Sequence, residues 1–425
     1  MKKNIPENDI KICAVVCEYN PFHNGHLYQL RKIKEESDCD ALLCLMSGNF
    51  VQRGEAAILE KHERAKHAVL AGADCVIELP PHFAIANAEV FASGAVKMLS
   101  AIPAVKKLAF GTESGTEADL LSLAALCENE SPAFKNALKK ALDNGESFAR
   151  ARFAAMKETY PQFDERLFLS PNNVLGLEYA KAIRRLHADI HILPIRRVGA
   201  EYRDETLRES YSSASAIRNA LYGGMNGEKA DPSQEPTTPV CKSEQSAFLA
   251  NNIPPYVAED LAFALSRAGS DKLDAMEYYA AITRKKEELA NVADCTEGLE
   301  NALQNAAKEN FTAERTVAAV TSRRYTAARL RRILLCATLG IFKRDTEELL
   351  RENAWYNVLA AGANANEILS ALNKSGLTVL VRKGDEKALT GIKKHCYAVS
   401  LHADAIYAAL CEKNTISAAR FIKNR

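Results

Sequence analysis

"KICAVVC" (Lys11–Cys17) runs directly into "EYNPFHNGHLY" (Glu18–Tyr28). The first run is almost wholly apolar and reads as a buried strand. Pro21 and the Asn24-Gly25 pair then turn the chain, and an amphipathic stretch, Leu27–Glu36, follows at helical spacing. Strand, turn and helix open a βαβ unit, so this stretch decides the fold. It also places His23 and His26 three residues apart, around Gly25, at the carboxyl end of the first strand.

The pattern repeats along the first third. "ALLCLMS" (Ala41–Ser47), "DCVIELP" (Asp74–Pro80) and "KKLAFGT" (Lys106–Thr112) read as buried strands. Amphipathic stretches Glu60–Ala71 and Ala86–Ser100 lie between them. Alternation of this kind predicts right-handed crossovers and a parallel sheet, hence an α/β fold. Four helices are expected next, at Glu117–Cys127, Ala133–Asn144, Phe148–Tyr160 and Asn173–Leu186. A returning strand, Asp189–Arg197, and the Ser-rich helix start "SSASAIR" (Ser212–Arg218) close this region. From Gly223 the text turns to Gly, Pro, Ser, Thr and charge, which reads as a linker or surface insertion. Beyond it nearly everything is helical, with "LTVLVRK" a candidate strand. The expected organisation is a sheet domain over 1–222, a linker over 223–245 and a mostly helical domain over 246–425.

With 425 residues there is ample material for two or three domains. Its 55 basic and 54 acidic side chains nearly cancel, so a nucleic-acid partner has to be met by a local patch. Eleven scattered cysteines, with no CxxC pair, argue against a disulfide framework or a zinc site. They fit reduced thiols in the cytosol. The apolar run near the N-terminus, Ile12–Cys17, is too short for a signal peptide or a membrane span.

Ligands of open parallel sheets bind beyond the carboxyl ends of the strands. The first helix starts inside the opening motif, with Asn20-Pro21 or Asn24-Gly25 as its cap. Either way both histidines stand at a helix N-terminus, which favours an anion. Gly25 lets the backbone approach a ligand, and two imidazoles can donate to phosphate oxygens as charge builds up in displacement. The arrangement suits the α-phosphate of a nucleoside triphosphate. A metal pair is the other chemical use of such histidines, but no third ligand stands nearby.

Further pieces extend this reading. "SGNFVQRGE" after the second strand can form a loop over the site, carrying Gln52 and Arg53. Gly111 ends the fourth strand, where backbone can pack against a base or ribose. Asn172 and Asn173 open a helix, as caps or as readers of a nucleotide. Of Arg196 and Arg197, one is expected to meet phosphate. Ser213, Ser215 and Arg218 make a second anion site suited to β- and γ-phosphates, with Ser215 the better placed hydroxyl.

H-x-G-H is the signature of the nucleotidyltransferase and class I aminoacyl-tRNA synthetase superfamily. The longer string, followed in order by "MSGNFVQRGEAAI", "DCVIELP", "AFGTES", "SPNNVLGLEY", "RRVGAEYRDE" and "SSASAIR", resembles the bacterial tRNA(Met) cytidine acetate ligase family over about residues 11–220. The resemblance implies a Rossmann-like nucleotidyltransferase domain followed by a helical RNA-binding one. It implies that acetate attacks the α-phosphate of ATP, and that acetyl-adenylate then acetylates N4 of the wobble cytidine of elongator tRNA(Met). His23 and His26 would be catalytic. The ATP site would comprise Val15, Val16, Cys17, Glu18, Tyr19, Asn20, Pro21, Phe22, His23, Asn24, Gly25, His26, Leu27 and Tyr28, with Gly111, Asn172, Asn173, Arg197, Ser215 and Arg218. ATP would arrive with Mg²⁺, acetyl-coenzyme A would play no part, and no protein-held metal, DNA or membrane is implied.

The C-terminal half adds "TSRRYTAARLRRILL", with Arg323, Arg324, Arg329, Arg331 and Arg332 around Tyr325. From Phe311 to Arg344 eight Lys and Arg residues face one acidic residue, Glu314. Such a patch can bind phosphates while the tyrosine stacks on a base, although a solvated basic helix face has the same composition. Together with the resemblance it is expected to hold tRNA. A metabolic adenylyltransferase without an RNA partner, and a nucleotide-responsive RNA-binding protein, are the competing readings.

Overall fold

A computed structural model describes residues 10–146, 148–197, 212–222, 242–412 and 420–422. Its centre is the expected parallel sheet. Strands β1 (Ile12–Cys17), β2 (Ala41–Ser47), β5 (Cys75–Leu79), β6 (Val105–Thr112) and β7 (His191–Arg196) all run the same way. Between β2 and β5 lies a short antiparallel hairpin, β3 (Phe50–Val51) and β4 (Glu55–Ala56). Every residue of β2 and of β5 is buried, as strands covered on both faces must be.

Three late strands join the same sheet: β8 (Tyr356–Ala361), β9 (Val379–Leu380) and β10 (Arg420–Phe421). Among the described residues the order is β10-β8-β5-β2-β1-β6-β7, with β9 beside β8. The chain therefore advances from β1 through β2 to β5, then returns past β1 to β6 and β7. The direction reverses between β1 and β6, and a ligand crevice belongs at their carboxyl ends.

Strand residues alternate between the two faces. Ile12 and Ala14, with Leu43, Leu45 and Ile77, pack against the helices Ala88–Ser100 and Pro171–Arg185. Cys13, Val15, Leu42, Cys44 and Met46 pack with Leu30 and Ile33 of the helix Asn24–Glu36 and with Ala65, Ala68 and Val69 of the helix Lys61–Leu70. A third cluster lies among the later helices and takes in Phe50 of the hairpin, Leu330, Ile333, Leu334 and Tyr407.

The second half, expected as a mostly helical domain over 246–425, is mostly helical among the described residues and also adds strands to the sheet. β8 pairs antiparallel with β5, Cys75 opposite Ala361 and Ile77 opposite Val358. Trp355 and Tyr356 are each 1% exposed and lie in the same core as Ile12 and Ile77. An edge strand as apolar as β5 needs a cover, and the run "YNVLAA" supplies it. The expected linker lies outside the described residues as far as 241, and its last positions belong to the helix Lys242–Asn252. The stretch 198–211, which holds most of "RRVGAEYRDE", also lies outside them.

A buried ionic cluster binds the two halves together. Lys61 Nζ lies 2.9 Å from Glu78 of β5 and 2.6 Å from Asp404 of the helix Gly391–Cys411. Asn49 donates to Asp404 and Asn357 of β8 donates to Glu78, so the carboxylates keep hydrogen bonds as well as charge. Removing one member of such a cluster strands a buried charge at a cost of about 3–5 kcal/mol. Glu78 is thus spent on architecture, as is Asp74, which accepts from Leu42 N.

His82 lies on the short helix Pro81–Ala84 and is 1% exposed, and neither ring nitrogen has a hydrogen-bond partner among the described residues. Burial, with His395 adding repulsion, lowers its pKa to about 3. The folded state therefore holds the ring neutral, while the unfolded chain protonates it below about pH 6.5. The stability this ring confers is complete above that pH and is lost as the pH falls. His82→Leu is expected to stabilise the protein, its advantage growing by roughly 1.4 kcal/mol per pH unit on acidification. Urea unfolding of both proteins at neutral and mildly acid pH measures this, and an advantage that does not vary with pH would sink it.

Candidate active site

β1 ends at Cys17 and the chain turns sharply. Tyr19 has φ +49°, and the Asn20–Pro21 peptide is cis. Buried contacts hold this turn. Tyr19 and Phe22 pack edge to face at 4.8 Å, and Asn20 Oδ1 accepts from Ile58 N at 2.8 Å. Arg64, fully buried, directs its guanidinium at main-chain carbonyls, those of Glu18, Ser47, Gly48 and Leu59. It thereby ties the carboxyl ends of β1 and β2 together beneath the site.

The first helix begins at Asn24, and its cap is neither expected pair. His23 itself is the N-cap, with extended backbone and Nδ1 accepting from Gly25 N at 3.0 Å. A neutral imidazole that accepts at Nδ1 carries its proton on Nε2, so His23 keeps a donor. His26 stacks on His23 with ring centres 3.7 Å apart. Tyr19 and Phe22 close around the His26 ring at 4.8 and 5.6 Å. Burial lowers the pKa of His23 to about 3, helped by Arg197. Burial, His23 and Arg197 hold His26 well below the ordinary histidine value. Both rings are therefore neutral hydrogen-bonding groups in the free protein.

A Cβ at position 25 would lie 2.8 Å from His23 Cε1 and 3.0 Å from Nδ1. Gly25→Ala is expected to push the His23 ring off its cap and slow the first chemical step about tenfold, since a small misplacement of an aligned group is costly. Single-turnover rates on nucleotide provide the check, with unfolding curves to show that the fold persists. A parent-like rate would remove the steric case for glycine here.

The histidines open onto a cavity of about 290 Å³ at the reversal point of the sheet. From the opening motif Val16, Cys17, Glu18, Tyr19, Asn20, His23, Gly25, His26 and Tyr28 line it. Gly111, Asn172, Arg197 and Arg218 come to the same cavity from β6, the helix Pro171–Arg185, the end of β7 and the helix Ala214–Tyr222. Gln52 and Arg53 reach it from the hairpin loop, and Arg196 joins Arg197.

Seven of the expected residues are not in the lining. Val15 and Phe22 are core. Pro21 and Leu27 are absent from the wall, and Asn24 donates to Asn251 O at 2.9 Å. Asn173 is fully buried, accepting from Thr112 Oγ1 and donating to Ser114 Oγ and Arg166 O, so it braces the loop after β6. Ser215 accepts from Arg218 at 3.4 Å. Arg218 also donates to Asn20 O at 2.7 Å, linking its helix to the histidine turn. Sequence reading overlooked the aromatic walls, Phe91, Phe110 and Tyr179, whose signal was an aromatic beside a small residue. A Cβ on Gly176 would meet the Phe110 ring at 2.4 Å.

The arginine patch is less open than its composition implies. Arg332 pairs with Asp294 at 2.8 Å, both side chains 12% exposed. Arg324 pairs with Glu297 at 2.5 Å, and Arg329 lies within 4 Å of both acids. Asp294 and Glu297 lie outside the Phe311–Arg344 window, and the fold brings them back to it. Arg324 and Arg329 each stand 5.5 Å from the centre of the Tyr325 ring, where an open stacking face was expected. Arg323 is exposed and has no ion-pair partner among the described residues.

The helix Ala327–Leu339 also touches the active-site hairpin. Arg331 lies 3.7 Å from Glu55, and a Cβ on Gly54 would meet Arg332 N at 2.5 Å. The same Glu55 lies 3.7 Å from Arg218. Among the described residues no group of three or more His, Cys, Asp or Glu side chains is arranged to hold a metal, and no helix is long and apolar enough to cross a membrane.

A doubly wound sheet whose first strand delivers an H-x-G-H turn to the switch point defines a nucleotidyltransferase of the HIGH class, and the family model described as HIGH Nucleotidyl Transferase matches residues 10–420. The relatives are more particular. A protein of Acetivibrio thermocellus named tRNA(Met) cytidine acetate ligase is 36% identical over 95% of this chain and 96% of its own. One of the same name from Clostridium botulinum is 35% identical over 88% of this chain and 89% of its own. The chain belongs to the tRNA(Met) cytidine acetate ligase family. Thermotoga maritima TmcAL bound with alpha-thio ATP has a similar structure, with a TM-score of 0.81, 25% identity and cover of 98% of this chain and 100% of that one. The apo form of the same protein gives 0.83 at 26% identity.

Proposed function

We propose that this protein is an ATP-dependent ligase that activates acetate as acetyl-adenylate and transfers the acetyl group to N4 of the wobble cytidine of elongator tRNA(Met), in the cytoplasm. The observation that carries it is the stacked, neutral histidine pair at a helix start, facing a cavity that also gathers Arg197 and Arg218. The names of the relatives supply the acetate and the tRNA, and the Thermotoga protein supplies a bound ATP analogue.

In this reading the aromatic walls and Gly111 take the adenosine, and Asn172 and Arg197 fix it. The α-phosphate sits at the histidines. An acetate oxygen attacks phosphorus, and His23 Nε2–H and the helix N-terminus stabilise the charge that develops on the equatorial oxygens. Arg218 meets the departing pyrophosphate. Mg²⁺ travels with ATP as part of the substrate. Acetyl-coenzyme A has no role.

Labelled acetate, ATP and bulk tRNA, followed by nucleoside analysis, test this directly. Label is expected in N4-acetylcytidine, with acetyl-coenzyme A unable to replace acetate and ATP. Unlabelled tRNA after incubation with active enzyme would overturn the reading.

A further inference from the structure

When acetyl passes to cytidine, N4 begins with two hydrogens and ends with one. A group in the cavity has to take that proton. His23 and His26 are poor choices, being packed on each other and, in the reading above, committed to the α-phosphate.

Glu18 is differently placed. It follows β1 directly and its side chain lines the cavity. Gln52 N donates to its Oε1 at 2.9 Å, and Oε2 has no hydrogen-bond partner among the described residues. No lysine or arginine of the described residues is within ion-pair distance of it, and burial raises its carboxyl above the ordinary glutamate value against the pull of Gln52, Arg218 and Arg64. A carboxylate fixed by one oxygen, with the other open to a cavity, is well formed for accepting a proton.

Its position indicates which substrate it serves. Gly111, Asn172 and Arg197 lie on the β6–β7 flank of the cavity. Glu18 is held from the β2 flank, by the hairpin whose Gln52 O accepts from Arg332 at 3.4 Å. The same hairpin packs on the arginine helix through Gly54 and Glu55. An RNA strand on that helix would present its base from the Glu18 side, and carboxylates accept readily from the cytosine N4 amine.

We propose that Glu18 is the catalytic base of acetyl transfer, accepting the N4 proton of the cytidine on its free carboxylate oxygen. This rests on the acetyl-adenylate reading above. N4 attacks the carbonyl carbon of acetyl-adenylate and the C–N bond forms. The bond from that carbon to the phosphate oxygen breaks, and AMP leaves with the electron pair. One N4 hydrogen passes to Glu18 as a proton and is later released to water.

The test compares two rates in the full-length protein: acetate-dependent exchange of pyrophosphate into ATP without tRNA, and N4-acetylcytidine formation with tRNA. Glu18→Gln keeps the size and an acceptor for Gln52 N but cannot take the proton. The ratio of transfer to exchange is expected to fall about 100-fold or more, within the range for a positioned base. Glu18→Asp, which keeps a carboxylate, should recover part of that ratio. Parent transfer should slow as the pH falls through the titration of a carboxyl, and the Gln variant should lose this limb. A ratio that stays at the parent value, because both rates fall together or neither falls, overturns the assignment. A parent with no acetate-dependent exchange overturns the acetyl-adenylate reading beneath it, a result distinct from the first.

Discussion

His23→Ala and His26→Ala each slow acetate-dependent ATP–pyrophosphate exchange by about 100- to 1,000-fold, the loss found for one preorganised donor. His23 supplies Nε2–H because Gly25 N occupies its Nδ1. His26 supports it by stacking at 3.7 Å and holds its own place through Tyr19 and Phe22. His23→Ala also removes a helix cap, worth about 1 kcal/mol. His23→Asn separates the two effects, since asparagine caps well but has no imidazole N–H at that reach. It should keep the parent's unfolding curve and show the alanine variant's rate. An asparagine variant with parent-like exchange would make His23 a cap alone. Because burial keeps both rings neutral, exchange should also persist at pH values well above the ordinary histidine pKa.

Much of this site was legible because it is local. Strand, turn and H-x-G-H lie within Ile12–His26, and their apolar run, glycine and histidines are neighbours in sequence. The strand boundaries followed for the same reason, with β2 found at Ala41–Ser47 as expected. What could not be read depends on residues far apart in the chain. β8 is six residues in helical surroundings, and only the open edge of β5 makes it a strand. Asn172 and Asn173 are adjacent amides of equal chemistry. The turn after β6 buries Asn173 under Thr112 and Ser114 and leaves Asn172 on the cavity wall. The cap was misread because histidine is an uncommon N-cap, and the ring's second role does not show in a composition rule.

The arginine patch is the same lesson in charge, and it decides which variant tests tRNA binding. Arg332 is held by Asp294 and Gln52, and Arg331 faces Glu55, so changing either disturbs the hairpin over the active site. Arg323 and Arg324 precede the helix and are exposed, Arg324 with 68% of its side chain accessible. The Arg324–Glu297 pair is a surface pair, and breaking it costs about 1 kcal/mol or less. Arg323→Glu with Arg324→Glu should therefore fold normally and leave ATP–pyrophosphate exchange near the parent rate. Its effect should fall on tRNA. Two cations become two anions, one of them beside Glu297, and phosphate contacts carry much of the affinity of such interfaces. Dissociation constants should rise roughly 10- to 100-fold at low salt, and the slope of log affinity against log salt should flatten by about one to two. Acetyl transfer at low tRNA should fall in proportion and recover at saturating tRNA, because the chemistry is intact. Filter binding across a salt series, beside transfer measured over a range of tRNA concentrations, reads both effects. Unchanged affinity at every salt would take this patch out of the RNA interface. A transfer rate that stays low at saturating tRNA would instead place these arginines in the orientation of the acceptor base.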